Sequence, residues 1–253
     1  TESILMALKA ARDQFAQDRG ISRPNVVLPS SAHAAFAKAG AYFGIELRRT
    51  AVKSDWRADV EAMRNAIDEN TIMIACSAPQ YPQGVIDDVP SVAALALELG
   101  INCHVDACMG GVSLAYLERL GRNIPSWNFR VPGVTSMSVD LHKFGYTSKG
   151  SSVIMYANKR LRSFQGFITD DWLGGMYASS GMLGTKSGGS IASAWSVLRH
   201  LGDDGYTALT KQTRDACVQL ADHIASHQQL ILRAYPDSTL ICFGAADPTA
   251  LNI

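Results

Sequence analysis

Apolar positions recur at helical spacing over residues 4–17 (Ile4, Leu5, Leu8, Ala11, Phe15), and Gly20 closes the run. Thr1 or Ser3 stands where an N-cap belongs, and the open N–H groups of such a helix start can also hold a phosphate. A short strand follows at 25–28, then a small-residue helix at 31–43 that carries His33. A second strand at 45–50 alternates Ile45 and Leu47 against Glu46 and Arg48. Residues 60–67 read as a helix with Met63, Ala66 and Ile67 on one face. Residues 71–76 form a continuous apolar strand, buried on both sides. Prolines and a glycine make 79–84 a rigid loop. A helix at 89–99 ends on Gly100, and another buried strand occupies 101–105. Two further apolar runs, 134–139 and 153–156, flank a polar stretch.

Strands alternating with helices at this rhythm predict βαβ units, hence an α/β fold with a mostly parallel sheet between helices. In such sheets ligands bind outside the carboxyl ends of the strands. Chemistry is therefore expected just after residues 28, 76, 105 and 139. Beyond the last of these the rhythm changes. Residues 164–185 read as a long loop, 188–200 and 206–227 as helices, and 230–234 and 239–243 as strands. The predicted division is a large domain over 1–205, then a connecting helix and the beginning of a small C-terminal domain over 206–253.

Composition narrows the function classes. The chain has 253 residues, 47% hydrophobic and 18% charged, with 23 basic and 23 acidic side chains. Zero formal net charge offers no footprint for nucleic acid or an anionic membrane. Five cysteines, with no close C-x-x-C pair, argue against a disulfide framework or a zinc knuckle and for reduced thiols in the cytoplasm. No apolar run is long enough to span a bilayer. Both ends read as cut from something longer, so any membrane contact is expected through segments outside this chain.

The stretch 138–152 reads S-V-D-L-H-K-F-G-Y-T-S-K-G-S-S, a loop crowded with reactive groups between two expected strands. Lys143 is expected to carry pyridoxal phosphate as a Schiff base. On extended backbone its neighbour His142 would point to the opposite side, free to hold a phosphate. A nucleophilic lysine needs burial or a second cation, and Lys149 is a candidate. Asp106 ends an apolar strand, where a carboxylate is expensive without a cation. It reads either as a helix cap or surface ion pair, or as the partner of a protonated ring nitrogen that keeps the ring an electron sink. His33 among alanines would stack on one face of the ring, with small Ala107 a candidate neighbour on the other. Gly188 and Gly189, before a helix, could take an anion, although glycines at helix starts are common.

Several motifs together resemble the sphingosine-1-phosphate lyases, within the wider group of pyridoxal-phosphate decarboxylase-like enzymes. They are T-E-S-I-L-M-A at Thr1, S-A-H-A-A-F at Ser31, S-A-P-Q-Y-P-Q-G at Ser77, H-V-D-A-C at His104 and D-L-H-K-F-G-Y-T-S-K-G-S-S at Asp140. T-D-D-W-L-G-G-M-Y-A-S-S-G at Thr169 adds to them, and the likeness runs along essentially the whole chain. The resemblance implies a type I (aspartate aminotransferase-like) pyridoxal-phosphate fold and a homodimer with a shared active site. It implies Lys143 as the Schiff-base lysine, Asp106 as the ring-nitrogen partner and His33 as the stacking ring. Thr1, His142 and, from a second copy, residues around Gly188 would bind the cofactor phosphate, with Tyr81 and Lys149 near the substrate. The implied reaction cleaves a phosphorylated long-chain base to a fatty aldehyde and phosphoethanolamine. Its base could be Lys143, Lys149, Tyr81 or the cofactor phosphate. An amino-acid decarboxylase on the same scaffold is the alternative reading, and a catalytically silent binding module is a second.

Overall fold

A six-stranded sheet in the order β2-β1-β3-β4-β5-β6 forms the spine of the computed structural model, which describes residues 1–247 and 249. Strands β1 (Asn25–Pro29), β2 (Glu46–Thr50), β3 (Thr71–Ser77), β4 (Asn102–Asp106) and β5 (Ser136–Asp140) run parallel. Strand β6 (Ser152–Tyr156) returns antiparallel to β5 in a register that sets Asp140 opposite Ser152. Every position of β1, β3, β4 and β5 is buried, which is why β1 and β3 read as apolar runs rather than alternations, while β4 and β5 bury polar side chains that bond to one another.

The chain moves from β1 outward to β2 and then back past β1 to β3, so strand order reverses between β1 and β3. Right-handed crossovers then place α2 (Ala35–Phe43) on one face and α4 (Val89–Leu99) on the other. Helix α1 (Glu2–Arg19) packs against α2 and lies along β3 to β6, burying Ile4, Leu5, Leu8, Ala11 and Phe15. It ends in a left-handed cap at Gly20, φ 68°. Helix α3 (Val60–Ala66) joins α4, and α5 (Gly110–Arg119) packs on β5.

Several expectations need correction. Helix α2 starts at Ala35, not at residue 31, so His33 lies in the turn that follows β1. Its ring explains the late start: Nδ1 accepts the Ala35 N–H at 3.0 Å and satisfies a donor of the first helical turn. Two helices escaped the periodicity, α5 and the short α6 (Lys159–Ser163). The expected loop over 164–185 contains a small hairpin, β7 (Phe167–Thr169) with β8 (Tyr177–Ser179). Helix α7 (Gly188–Ser226) is broken at Gly202, where φ is 56° and ψ −172°, giving the two segments anticipated. Strands β9 (Leu230–Ala234) and β10 (Cys242–Ala245) pair with each other and β9 packs on α7, with β10 later than the 239–243 expected.

Candidate active site

Asp140 closes β5 with its side chain only 3% exposed. The chain then turns sharply over 141–145, with the N–H groups of Leu141 and His142 both donating to Ser151 O at 3.0 and 3.3 Å. Because the backbone turns rather than extends, His142 and Lys143 do not diverge. Both converge on Asp140 Oδ2, Lys143 Nζ at 3.1 Å and His142 Nε2 at 3.6 Å. The His142 Nδ1–H donates to Ser151 O at 2.7 Å, since a carbonyl can only accept. The Ser152 hydroxyl donates to Asp140 Oδ1 from the facing strand and lies 2.8 Å from the Ser3 hydroxyl of α1. Burial pushes the Asp140 carboxyl up, but the Ser152 hydrogen bond and the Lys143 ammonium outweigh it, leaving the group below its ordinary value.

Asp106 ends β4, one strand over, in register with Ser138. It is 6% exposed; its Oδ1 accepts the Cys108 N–H at 3.1 Å, and no ion pair engages it among the described residues. The Cys108 thiol feels Asp106, Asp140 and Lys143 together: burial and then the two carboxylates push it up, while the lysine acts the other way. Lys143 and Asp106 thus share one end of the sheet, and the amine is only a quarter exposed. Below Asp106, fully buried His104 spans to β5, with Nδ1 2.9 Å from Ser136 Oγ and Nε2 3.1 Å from Ser138 Oγ. Burial lowers its pKa to about 4, against the pull of Asp106.

Glycine is required where α5 begins. A Cβ at Gly110 would stand 2.2 Å from Ala78 O, and one at Gly111 would stand 2.5 Å from Val139 Cγ2. The two glycines let the helix start directly under the ends of β3 and β5, which fixes the segment 106–109 beside the lysine turn.

His33 and Tyr81 meet across the point where strand order reverses, ring edge to ring face with centroids 6.3 Å apart. Tyr81 is exposed, as is Lys149 at the tip of the loop between β5 and β6. Ala107 is fully buried, its N–H donating to Ser138 O at 3.0 Å, so its side chain offers no open surface beside His33. Gly188 and Gly189 are exposed at the start of α7, where Ser187 Oγ accepts the Gly189 N–H at 3.2 Å. Thr1 and His142 come together at a cleft of about 300 Å³ bounded also by Gly150 and Lys186. Thr1 makes no side-chain capping bond to α1. A hydroxyl, an imidazole, a lysine and the N-terminus of an 18-residue helix around one cleft are donors suited to a phosphate dianion.

Three supporting residues were not singled out from sequence. Asp140 and Ser152 are local in space only through strand register. Tyr206, on α7, is buried and donates to Gly145 O at 2.7 Å, stacking between Tyr116 and Tyr146.

Pyridoxal phosphate fits this donor set: a half-buried primary amine, a buried carboxylate lacking a cation, an imidazole at the strand-order reversal and an anion cleft along one sheet end. These features and the parallel sheet define a type I pyridoxal-phosphate fold. The chain belongs to the family described as the pyridoxal-dependent decarboxylase conserved domain, whose model matches residues 1–246. It is 46% identical over 248 residues to sphingosine-1-phosphate lyase 1 of Rattus norvegicus, covering 98% of this chain and 44% of the rat protein. It is 32% identical over 242 residues to a probable L-tyrosine/L-aspartate decarboxylase of Methanothermobacter thermautotrophicus, covering 93% of this chain and 65% of that protein. The solved structure of the Burkholderia pseudomallei sphingosine-1-phosphate lyase superposes with a TM-score of 0.93 at 39% identity, covering 96% of this chain and 56% of that one. The chain therefore spans less than half the length of the curated lyases it matches.

Proposed function

We propose that this chain is the cofactor-binding core of a lyase that cleaves the C2–C3 bond of phosphorylated long-chain sphingoid bases, releasing a fatty aldehyde and phosphoethanolamine. The observation that carries the reading is the 46% identity to a sphingosine-1-phosphate lyase over 98% of the chain, against 32% to a probable decarboxylase. When bound, pyridoxal phosphate supplies a conjugated ring that takes up the electron pair of the broken bond.

The residues divide the work as follows. Lys143 carries the cofactor, and the buried Asp106 carboxylate keeps a proton on the ring nitrogen. His33 would lie against the ring, while buried Ala107 contributes no face to it. Thr1, His142 and the start of α1 hold the phosphate, and a second copy's Gly188 and Gly189 complete that site in a homodimer. Tyr81 and Lys149 face the substrate, and either of them or Lys143 takes the proton of the C3 hydroxyl. The pairing of β9 with β10, and the packing of β9 on α7, support 206–253 as a connecting helix and the beginning of a second domain. Among the described residues no helix is long and apolar enough to cross a membrane. Five cysteines without a disulfide favour the cytoplasm.

The family description and the 32% match favour a second reading, amino-acid decarboxylation on the same core. Incubating the full-length protein with sphinganine 1-phosphate and quantifying fatty aldehyde separates the two. Aldehyde release supports the lyase; carbon dioxide from an amino acid with no aldehyde overturns it.

A further inference from the structure

We propose that Asp140 is the resting place of the Lys143 amine: a positioning residue whose carboxylate takes the ammonium whenever the lysine is not bonded to the cofactor. The inference rests on the reading that Lys143 carries pyridoxal phosphate. Its basis is geometric. The carboxylate is 3% exposed and cannot rotate away, because Ser152, held in register on β6, fixes Oδ1. Oδ2 then faces the lysine at 3.1 Å across a three-residue reach.

A lysine released from its cofactor has a long, flexible stem with rotamer freedom to lose. Without an anchor the amine would sample solvent. With Asp140 it stays within a side chain's reach of the ring, on the same sheet end as Asp106. The charged groups around the pair are Asp106 and the Cys108 thiol from the end of β4, His142 on the same turn, the Thr1 amino group at the start of α1, and Glu2, paired with Lys186 at 2.7 Å across the neighbouring cleft. Among the described residues Asp140 alone forms an ion pair with the ammonium, so it dominates the field there.

The test uses full-length protein stripped of cofactor. Lysines are labelled competitively with acetic anhydride at one fixed pH, and the Lys143 peptide is quantified by mass spectrometry against the other lysine peptides. Asp140→Asn is expected to raise Lys143 labelling roughly tenfold, because the amine loses the carboxylate that holds it. Ser152→Ala, which leaves the charge but frees its rotamer, is expected to raise it by less. Unchanged labelling in a folded Asp140→Asn protein overturns the proposal; if that variant does not fold, unchanged labelling in Ser152→Ala does so. A separate arm adds pyridoxal 5′-phosphate before labelling. Failure of the cofactor to protect Lys143 would remove the cofactor assignment, while raised labelling in the variant would still establish the ion pair.

Discussion

The phenolic hydroxyl of Tyr206 donates to the carbonyl of Gly145 at 2.7 Å, two residues beyond Lys143 and sixty-one positions away in sequence. The second half of α7 therefore holds the far side of the lysine turn, as Asp140 holds the near side. Tyr206→Phe keeps the stacking with Tyr116 and Tyr146 but leaves that carbonyl without its donor. A loss of about 1 kcal/mol in unfolding free energy is expected. Urea denaturation of the variant checks it, together with faster loss of cofactor on dialysis.

Asp106→Asn retains the shape and the contact to the Cys108 amide but removes the charge. If Asp106 keeps a proton on the ring nitrogen, kcat should fall by about 10²-fold or more, with a much smaller change in substrate affinity. Steady-state kinetics of aldehyde release measure both. A near-normal kcat would mean that the ring nitrogen has another partner.

Two buried groups act oppositely on stability between about pH 4 and 6. His104 has a folded pKa of about 4, below its ordinary value, so the unfolded chain binds the extra proton and stability rises with pH across that range. Asp87 accepts the Ala58 and Ser77 N–H groups at 2.8 and 2.7 Å, yet burial raises its pKa to about 6. The folded chain binds that proton more tightly, so its contribution is full below the ordinary carboxylate value and is lost as pH rises through 6. Each slope is about 1.4 kcal/mol per pH unit, and together they nearly cancel. Unfolding free energy should thus be nearly flat over pH 4.5–6. His104→Gln should make it fall with rising pH, and Asp87→Asn should make it rise. Chemical denaturation at several pH values reads all three slopes.

Ile191, Trp195 and Leu198 fall on one face of α7 and are 67%, 65% and 40% exposed. Single chains rarely leave such a surface uncovered. Sedimentation of the full-length protein should give a dimer. Trp195→Glu should shift it towards monomer and weaken cofactor binding roughly tenfold or more, as expected for a central aromatic contact.

The sheet was legible because parallel strands buried on both faces are mostly apolar, as the Ile72–Cys76 run of β3 is. Helix ends were legible at Gly20 and Gly100, which take φ of 68° and 62°. The start of α2 was misread because a histidine ring supplies its first acceptor, a role that periodicity does not encode. Helix α5 was hidden by Gly110 and Gly111, poor helix formers retained because neighbouring strands leave no space for a Cβ. Lys143, Asp106 and His142 stood out in sequence because charged groups between apolar runs demand partners. Asp140 was visible in the same motif, but its link to Ser152 depends on strand register, and Tyr206 depends on how α7 crosses the sheet. Neither leaves a local trace.

The opposed pair Asp140 and Ser152 makes the hairpin of β5 and β6 a self-contained mount. Leu141 and His142 are tied to Ser151, and Lys143 to Asp140, so the residues enclosed by the Asp140–Ser152 rung are not equivalent. Those up to Ser148 are held, Thr147 through its N–H to Leu141 O and Ser148 through its hydroxyl to Ser193, whereas Lys149 is exposed at the tip. Substitutions at the tip can therefore retune which molecules are admitted while the reacting amine stays where it is, a division of labour that lets one scaffold diverge in substrate without losing its chemistry.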